Sequence, residues 1–170
     1  QADRFSALHA MTPDRHLTIP YREVPRADLS PDEARLLAAA ERALSHSYAP
    51  YSHFRVGAAL LLANGEILTG ANHENAAFPV GVCAERVVLG MLDMRGPAAV
   101  AIAVTYQTDR SVRHSPLAPC GLCRQSLLEV RVHQKAPIAV LMASPDAAVP
   151  VRILADAADL LPLYFSGENL

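Results

Sequence analysis

No apolar run in this chain of 170 residues approaches the length of a membrane span. The opening QADRFSALHAMTPDRH has no apolar core of a signal peptide. Positive charge is not in excess either: the formal net charge is −2. That argues against the broad basic face by which proteins hold DNA or RNA. Cysteine is scarce, and its count of three is odd. An odd, small number of thiols gives no disulfide framework and suits a reducing compartment, so a cytoplasmic location is expected. Repeats and low-complexity segments are absent. None of the seven histidines forms an HxH or HxxxH metal pair. What remains is 51% hydrophobic and 19% charged, the balance of one folded domain with a sizeable core.

Residues 1–30 read as an irregular arm carrying Pro13, Pro20 and Pro25, and residues 31–170 as a single domain. Ser30 can cap a helix with Pro31 at its first position and Glu33 closing a capping box, which predicts a helix over 31–47. RVGAALLLA (55–63) has the continuous apolar character of a doubly buried strand. Asn64-Gly65 then turns it into a return strand, EILTGA (66–71). A helix over 83–95 is expected, with Val87, Val88, Met91 and Leu92 inward. AAVAIAVTY (98–106) follows as a strand, 120–131 as a helix, PIAVLMA (137–143) as a strand, 149–154 as a further candidate strand and 156–161 as a short helix. The order predicts an α/β fold, a three-layer α/β/α sandwich around a mixed, five-stranded sheet.

All three cysteines fall in two short stretches, PVGVCAERVVL (79–89) and PCGLCRQ (119–125), each at an expected helix start. Cys120 and Cys123 are three apart and share one face of a first helical turn. A CxxC pair alone reads equally as a redox couple, half of a zinc site or two buried small residues. Cys83, also at a helix start where a thiolate is favoured, shifts the balance toward one metal held by three thiolates with a fourth position open. Glu85, two residues on, leaves the helix start in another direction. There it can move a proton to and from a water that the metal activates, or simply favour the helix N-terminus.

With these residues the chain resembles the small, homotetrameric zinc type of cytidine deaminase. The resemblance rests on YAPYSHFRVGAAL (48–60), TGANHENA (69–76), CAER (83–86), APCGLCRQ (118–125) and DLLPLYF (159–165), in order from about residue 31 to the C-terminus. It implies a Zn²⁺ cofactor on Cys83, Cys120 and Cys123, with Glu85 as the catalytic proton shuttle. It further implies that Asn72 and Glu74 grip the ribose 3'-hydroxyl, that the Ala84 backbone meets the pyrimidine and that Phe54 lines the base pocket. Phe165 would reach a neighbouring subunit's site in a homotetramer with shared sites. Arg86 would offset the net charge of about −1 on a zinc held by three thiolates. Three positions depart from the pattern: His73 for an aliphatic or amide residue, Phe78 for tyrosine and Leu122 for a small residue.

The expected activity is therefore hydrolytic deamination of cytidine and 2'-deoxycytidine, in pyrimidine salvage, on a small nucleoside and not on nucleic acid or at a membrane. Rival readings are a deaminase of N4-substituted cytidines or of blasticidin S, a zinc-stabilised binding module, and, third, an RNA or DNA editor.

Overall fold

A computed structural model describes residues 15–109 and 115–167. Six strands form one sheet: β1 (Arg22–Val24), β2 (Phe54–Leu62), β3 (Ile67–Ala71), β4 (Ala99–Thr108), β5 (Ala139–Met142) and β6 (Val151–Leu154). Their spatial order is β1-β6-β5-β4-β2-β3. Only β4 and β5 run parallel, and the remaining neighbours are antiparallel. Three helices accompany them: α1 (Pro31–Ala43), α2 (Ala84–Gly90) and α3 (Gly121–Gln134).

The alternation of side chains along β2 and β4 sorts the core into two layers. Ala58, Leu60, Ile102 and Val104 face α2 and α3, together with Ala84, Val88, Leu127 and Leu154. Ala59, Ala101 and Ala103 face α1, meeting Leu36, Leu37 and Ala40. The α1 face of the sheet is thus built from small residues, and this lets the helix come close. Gly57 marks the limit: a Cβ there would lie 2.1 Å from the carbonyl oxygen of Ala40. The start of α1 carries the expected capping box, with Ser30 Oγ accepting from the Glu33 N–H (3.3 Å) and Glu33 Oε2 from the Ser30 N–H (2.8 Å). The capping hydrogen bonds, the Ser30 backbone one foremost, hold the Glu33 carboxyl below its ordinary pKa against a small desolvation cost.

Three expectations need correction. The sheet has six strands and not five, because residues of the lead-in add β1 along β6, with Arg22 opposite Ile153 and Val24 opposite Val151. A three-residue strand between Pro20 and Pro25 is too short to show a period. Arg26 then fastens the lead-in, pairing with Glu41 and donating to the Ser144 carbonyl (2.8 Å). The first helix stops at Ala43 and tightens into a 3-10 turn over Leu44–His46. The second ends at Gly90 and not at 95, and Met91 is turned outward, 51% exposed. Its apolar spacing outlasts the helix because the chain turns back through Gly96, whose N–H bonds the Asp93 carbonyl (2.9 Å).

The close approach at Gly57 sets a testable cost. Gly57→Ala must push α1 away from the sheet, and a loss of about 1–3 kcal/mol is expected from overpacking of this kind. Urea denaturation reads it as a lower midpoint; an unchanged midpoint would show that α1 yields freely.

Candidate metal and nucleoside site

Cys83 is the N-cap residue of α2 and Cys120 that of α3, and Cys123 lies in the first turn of α3. Both helices pack on one face of the sheet, so their starts meet. The sulfurs of Cys83 and Cys120 are 3.7 Å apart and those of Cys120 and Cys123 3.5 Å, and all three lie within 4.8 Å of one another. Three thiolates at about 2.3 Å from one tetrahedral zinc ion would stand about 3.8 Å apart. The donor set and its spacing therefore fit zinc. Hydrogen bonds link the sulfurs. A hydrogen bond from Cys123, helped by Cys120 and by the Arg86 charge, draws the Cys83 thiol down to about 6 against its burial and the nearby Glu85. Cys123, which keeps its proton for Cys83 and is fully buried, is pushed up.

Glu85 sits in the first turn of α2 and is only 4% exposed. Burial raises its carboxyl above the ordinary value, although hydrogen bonds from its own backbone N–H and from Cys123 oppose this. A buried carboxyl poised to hold a proton thus stands beside the three sulfurs.

A cavity of about 440 Å³ opens on this cluster, and Phe54, Asn72, Glu74, Cys83, Glu85 and Cys120 all line it. The structure thereby brings together residues scattered over 67 positions of sequence, from the strand ends of β2 and β3 and the starts of α2 and α3. Phe54 stacks on the buried Tyr106 of β4, with ring centroids 4.9 Å apart, which fixes the ring that lines the cavity. Asn72 is fixed to β2: Oδ1 accepts from the Val56 N–H (2.7 Å), and Nδ2 donates to the Phe54 carbonyl (2.9 Å). Glu74 Oε2 accepts from the N–H groups of Tyr51 (2.9 Å) and Ser52 (3.2 Å). Desolvation opposes ionisation of Glu74, but the bonds from Ser52 and Tyr51 outweigh it and hold the carboxyl below its usual pKa. The loop that supplies them turns through His53, which adopts a left-handed φ of 56°.

Four expected residues stand apart from this cavity wall, Cys123 among them, fully buried at the sulfur cluster. Ala84 is fully buried behind it, at the first position of α2. Arg86 is exposed on α2, in a groove with Gln125 and Glu129, and acts on the sulfurs through its charge. Phe165 does not line the cavity of its own chain: it is 60% exposed, with its carbonyl accepting from Gln125 Nε2 (3.1 Å). Sequence reading did not single out Ser47, Ser52 and Leu117. Ser52 and Leu117 line the cavity, and Ser47 bonds to Asn72. Ser52 lies within the YAPYSHFRVGAAL stretch but has no expected role there, and no periodicity or motif marks Ser47 or Leu117.

Comparison with known proteins gives a consistent result. Residues 30–138 match the family described as cytidine and deoxycytidylate deaminase zinc-binding region. The chain is 43% identical over 100 residues to a cytidine deaminase of Halalkalibacterium halodurans, covering 58% of this chain and 72% of that protein. It is 35% identical over 140 residues to the cytidine deaminase of Sporosarcina psychrophila, covering 82% and 95%. The crystal structure of a cytidine deaminase from Burkholderia pseudomallei superimposes with a TM-score of 0.65 at 38% identity, over 77% of this chain and 97% of that one.

Proposed function

The chain belongs to the cytidine and deoxycytidylate deaminase family, and from that membership we propose that the cavity described above is where it deaminates cytidine and 2'-deoxycytidine. The reaction is hydrolytic: water adds at C4 of the pyrimidine, the C4–N4 bond breaks, and uridine and ammonia result. The observation that carries the assignment is that a buried carboxyl, the Asn72–Glu74 pair and two members, Cys83 and Cys120, of a three-sulfur cluster at zinc spacing line one cavity. In this reading Cys83, Cys120 and Cys123 hold the zinc. Bound there, the ion supplies Lewis acidity that makes water a nucleophile at neutral pH.

The chain's own residues manage the protons. Glu85 takes one proton from the attacking water and delivers it to N3, which removes the ring C=N double bond as the C4–O bond forms. It then takes the second proton of the former water and passes it to the amino group, which leaves as ammonia while the C4 carbonyl forms. Burial suits the carboxyl to this work, because a raised pKa strengthens its hold on the proton it carries. Phe54, held by its stacking on Tyr106, offers an apolar ring to the base, the Ala84 backbone meets its edge, and Asn72 with Glu74 takes a sugar hydroxyl. Arg86 offsets thiolate charge, as its effect on Cys83 supports.

Residues 31–170 form the deaminase domain in this reading. We also place the enzyme in the cytoplasm and in pyrimidine salvage. No helix among the described residues is long and apolar enough to cross a membrane.

Purified protein should release uridine from cytidine, read by ultraviolet absorbance. Glu85→Gln should keep its zinc in elemental analysis while turnover falls beyond the roughly 10²–10⁴-fold of a single acid–base role. Cys120→Ala should lose zinc and activity together. Retained turnover in zinc-loaded Glu85→Gln would move the proton carrier elsewhere.

A homotetramer with shared sites is the assembly we propose. Phe78, Leu122, Leu163 and Phe165 are 72%, 65%, 92% and 60% exposed, and so much apolar surface is typical of an interface. Light scattering should report four chains, and Phe165→Ala should raise KM while zinc content stays whole. A fully active monomer would reject shared sites.

A further inference from the structure

Asn72 has nearly all of its hydrogen-bonding capacity in use. Its Oδ1 has two acceptor places, and both are filled: the Val56 N–H donates from 2.7 Å and the Ser47 hydroxyl from 2.6 Å. One hydrogen of Nδ2 goes to the Phe54 carbonyl (2.9 Å). Only the other Nδ2 hydrogen lacks a partner among the described residues, so the side chain enters the cavity as a donor alone. Glu74 is the complement. Its Oε2 is taken by Tyr51 and Ser52, and the carboxylate can only accept.

We propose that Ser47 is a positioning residue for sugar recognition: by filling the last acceptor place on Asn72 it makes that side chain a dedicated donor. The inference rests on the reading of Asn72 and Glu74 as the sugar grip. Three features of the fold put Ser47 in place. The 3-10 turn over Leu44–His46 ends on it, with the Ser47 N–H bonded to the Leu44 carbonyl (3.2 Å). The next residue, Tyr48, bonds the Asn72 carbonyl through its N–H (3.1 Å) and the Glu74 N–H through its carbonyl (2.8 Å). Ser47 is thus zipped against Asn72 across 25 positions of sequence.

The chemistry follows from the count of lone pairs. A hydrogen bond donated to an amide oxygen polarises the amide and strengthens its N–H as a donor. A donor-only amide beside an acceptor-only carboxylate selects a group that accepts from one and donates to the other. A hydroxyl does both. Hydrogen does neither, fluorine only accepts, and a phosphate ester brings negative charge against Glu74. Without Ser47, Oδ1 would regain a free acceptor place and the amide would donate more weakly.

Cytidine and 3'-deoxycytidine, compared on the zinc-loaded enzyme, test the role. Wild type should strongly prefer cytidine. Ser47→Ala should lower kcat/KM for cytidine by roughly three- to tenfold, mostly through KM, and change 3'-deoxycytidine by less than about twofold. Ser47→Thr, which keeps the hydroxyl, should restore the preference. Ser47→Cys replaces it with a weak donor of similar shape and should behave like alanine; it carries the test if the alanine variant folds poorly. Equal losses on both substrates, or no loss on either, would overturn the role of Ser47 while deamination stands. A wild type that turns over both substrates equally would instead overturn the sugar grip itself, and Ser47 with it.

Discussion

Two helices must begin at the same place. Cys83 precedes α2, Cys120 precedes α3, and the cluster exists only because both starts land within one S–S contact of each other. Everything else in the α2–α3 layer serves that coincidence. Val88 of α2 and Leu127 of α3 are wholly buried against Leu60, Ile102 and Val104, which sets how deep each helix sits. On β3, a Cβ at Gly70 would lie 2.8 Å from Val87 Cγ1, so glycine lets α2 settle fully onto the sheet. At the other start, Arg124 donates to the Pro119 carbonyl (2.8 Å) and to the Leu160 carbonyl (3.0 Å). The loop before Cys120 is thereby tied to the C-terminal turn. A tetrahedral ion with bonds of about 2.3 Å tolerates little drift between its ligands, and a packed core is what suppresses drift.

The same layer concentrates ionisable groups where water is scarce. Three thiols and a carboxyl crowd one buried corner: the Cys83 thiol is drawn down to about 6, while the Cys123 thiol and the Glu85 carboxyl are pushed up. A divalent cation would reverse the preference at the sulfurs by supplying opposite charge directly. Glu85 is not one of the three sulfur groups, and its carboxyl lines the cavity beside them. The arrangement separates a group that can hold protons from groups that must lose them.

Much of this was legible in the sequence, because chemistry and turns leave local marks. The capping box of Ser30 and Glu33 formed, Gly65 of the Asn64-Gly65 turn took a positive φ of 86°, and the three cysteines met. What escaped was set by contacts between distant segments. β1 exists because β6 offers it an edge, not because REV has a strand pattern. Met91 continues the apolar spacing of α2, yet the helix has already ended when the chain reaches it. Phe165 was expected from resemblance at a neighbouring subunit's site, and in its own chain it is exposed and outside the cavity lining. Ser47 is one of many loop serines, and only its 2.6 Å contact to Asn72 distinguishes it.

The two ends of the cavity are built on opposite principles, and this follows from what each must do. At the Asn72–Glu74 end, backbone groups of β2 and of the 51–52 loop fix Asn72 and one carboxylate oxygen of Glu74. A side chain so fixed costs little entropy when a ligand arrives and presents one valence in one direction, which favours selectivity. At the sulfur end, Glu85 is buried with its pKa raised, and the thiols share protons instead of each owning a partner. Such a corner is energetically unfavourable in the fold alone. The small-residue packing of α1 against the opposite face, with Gly57 and Ala40 in near contact, stabilises the sheet that carries it. Stability and reactivity therefore occupy opposite faces of one sheet, and β2 connects them: its odd residues seat α1, while Phe54 and Val56 at its start hold Asn72 at the mouth of the site.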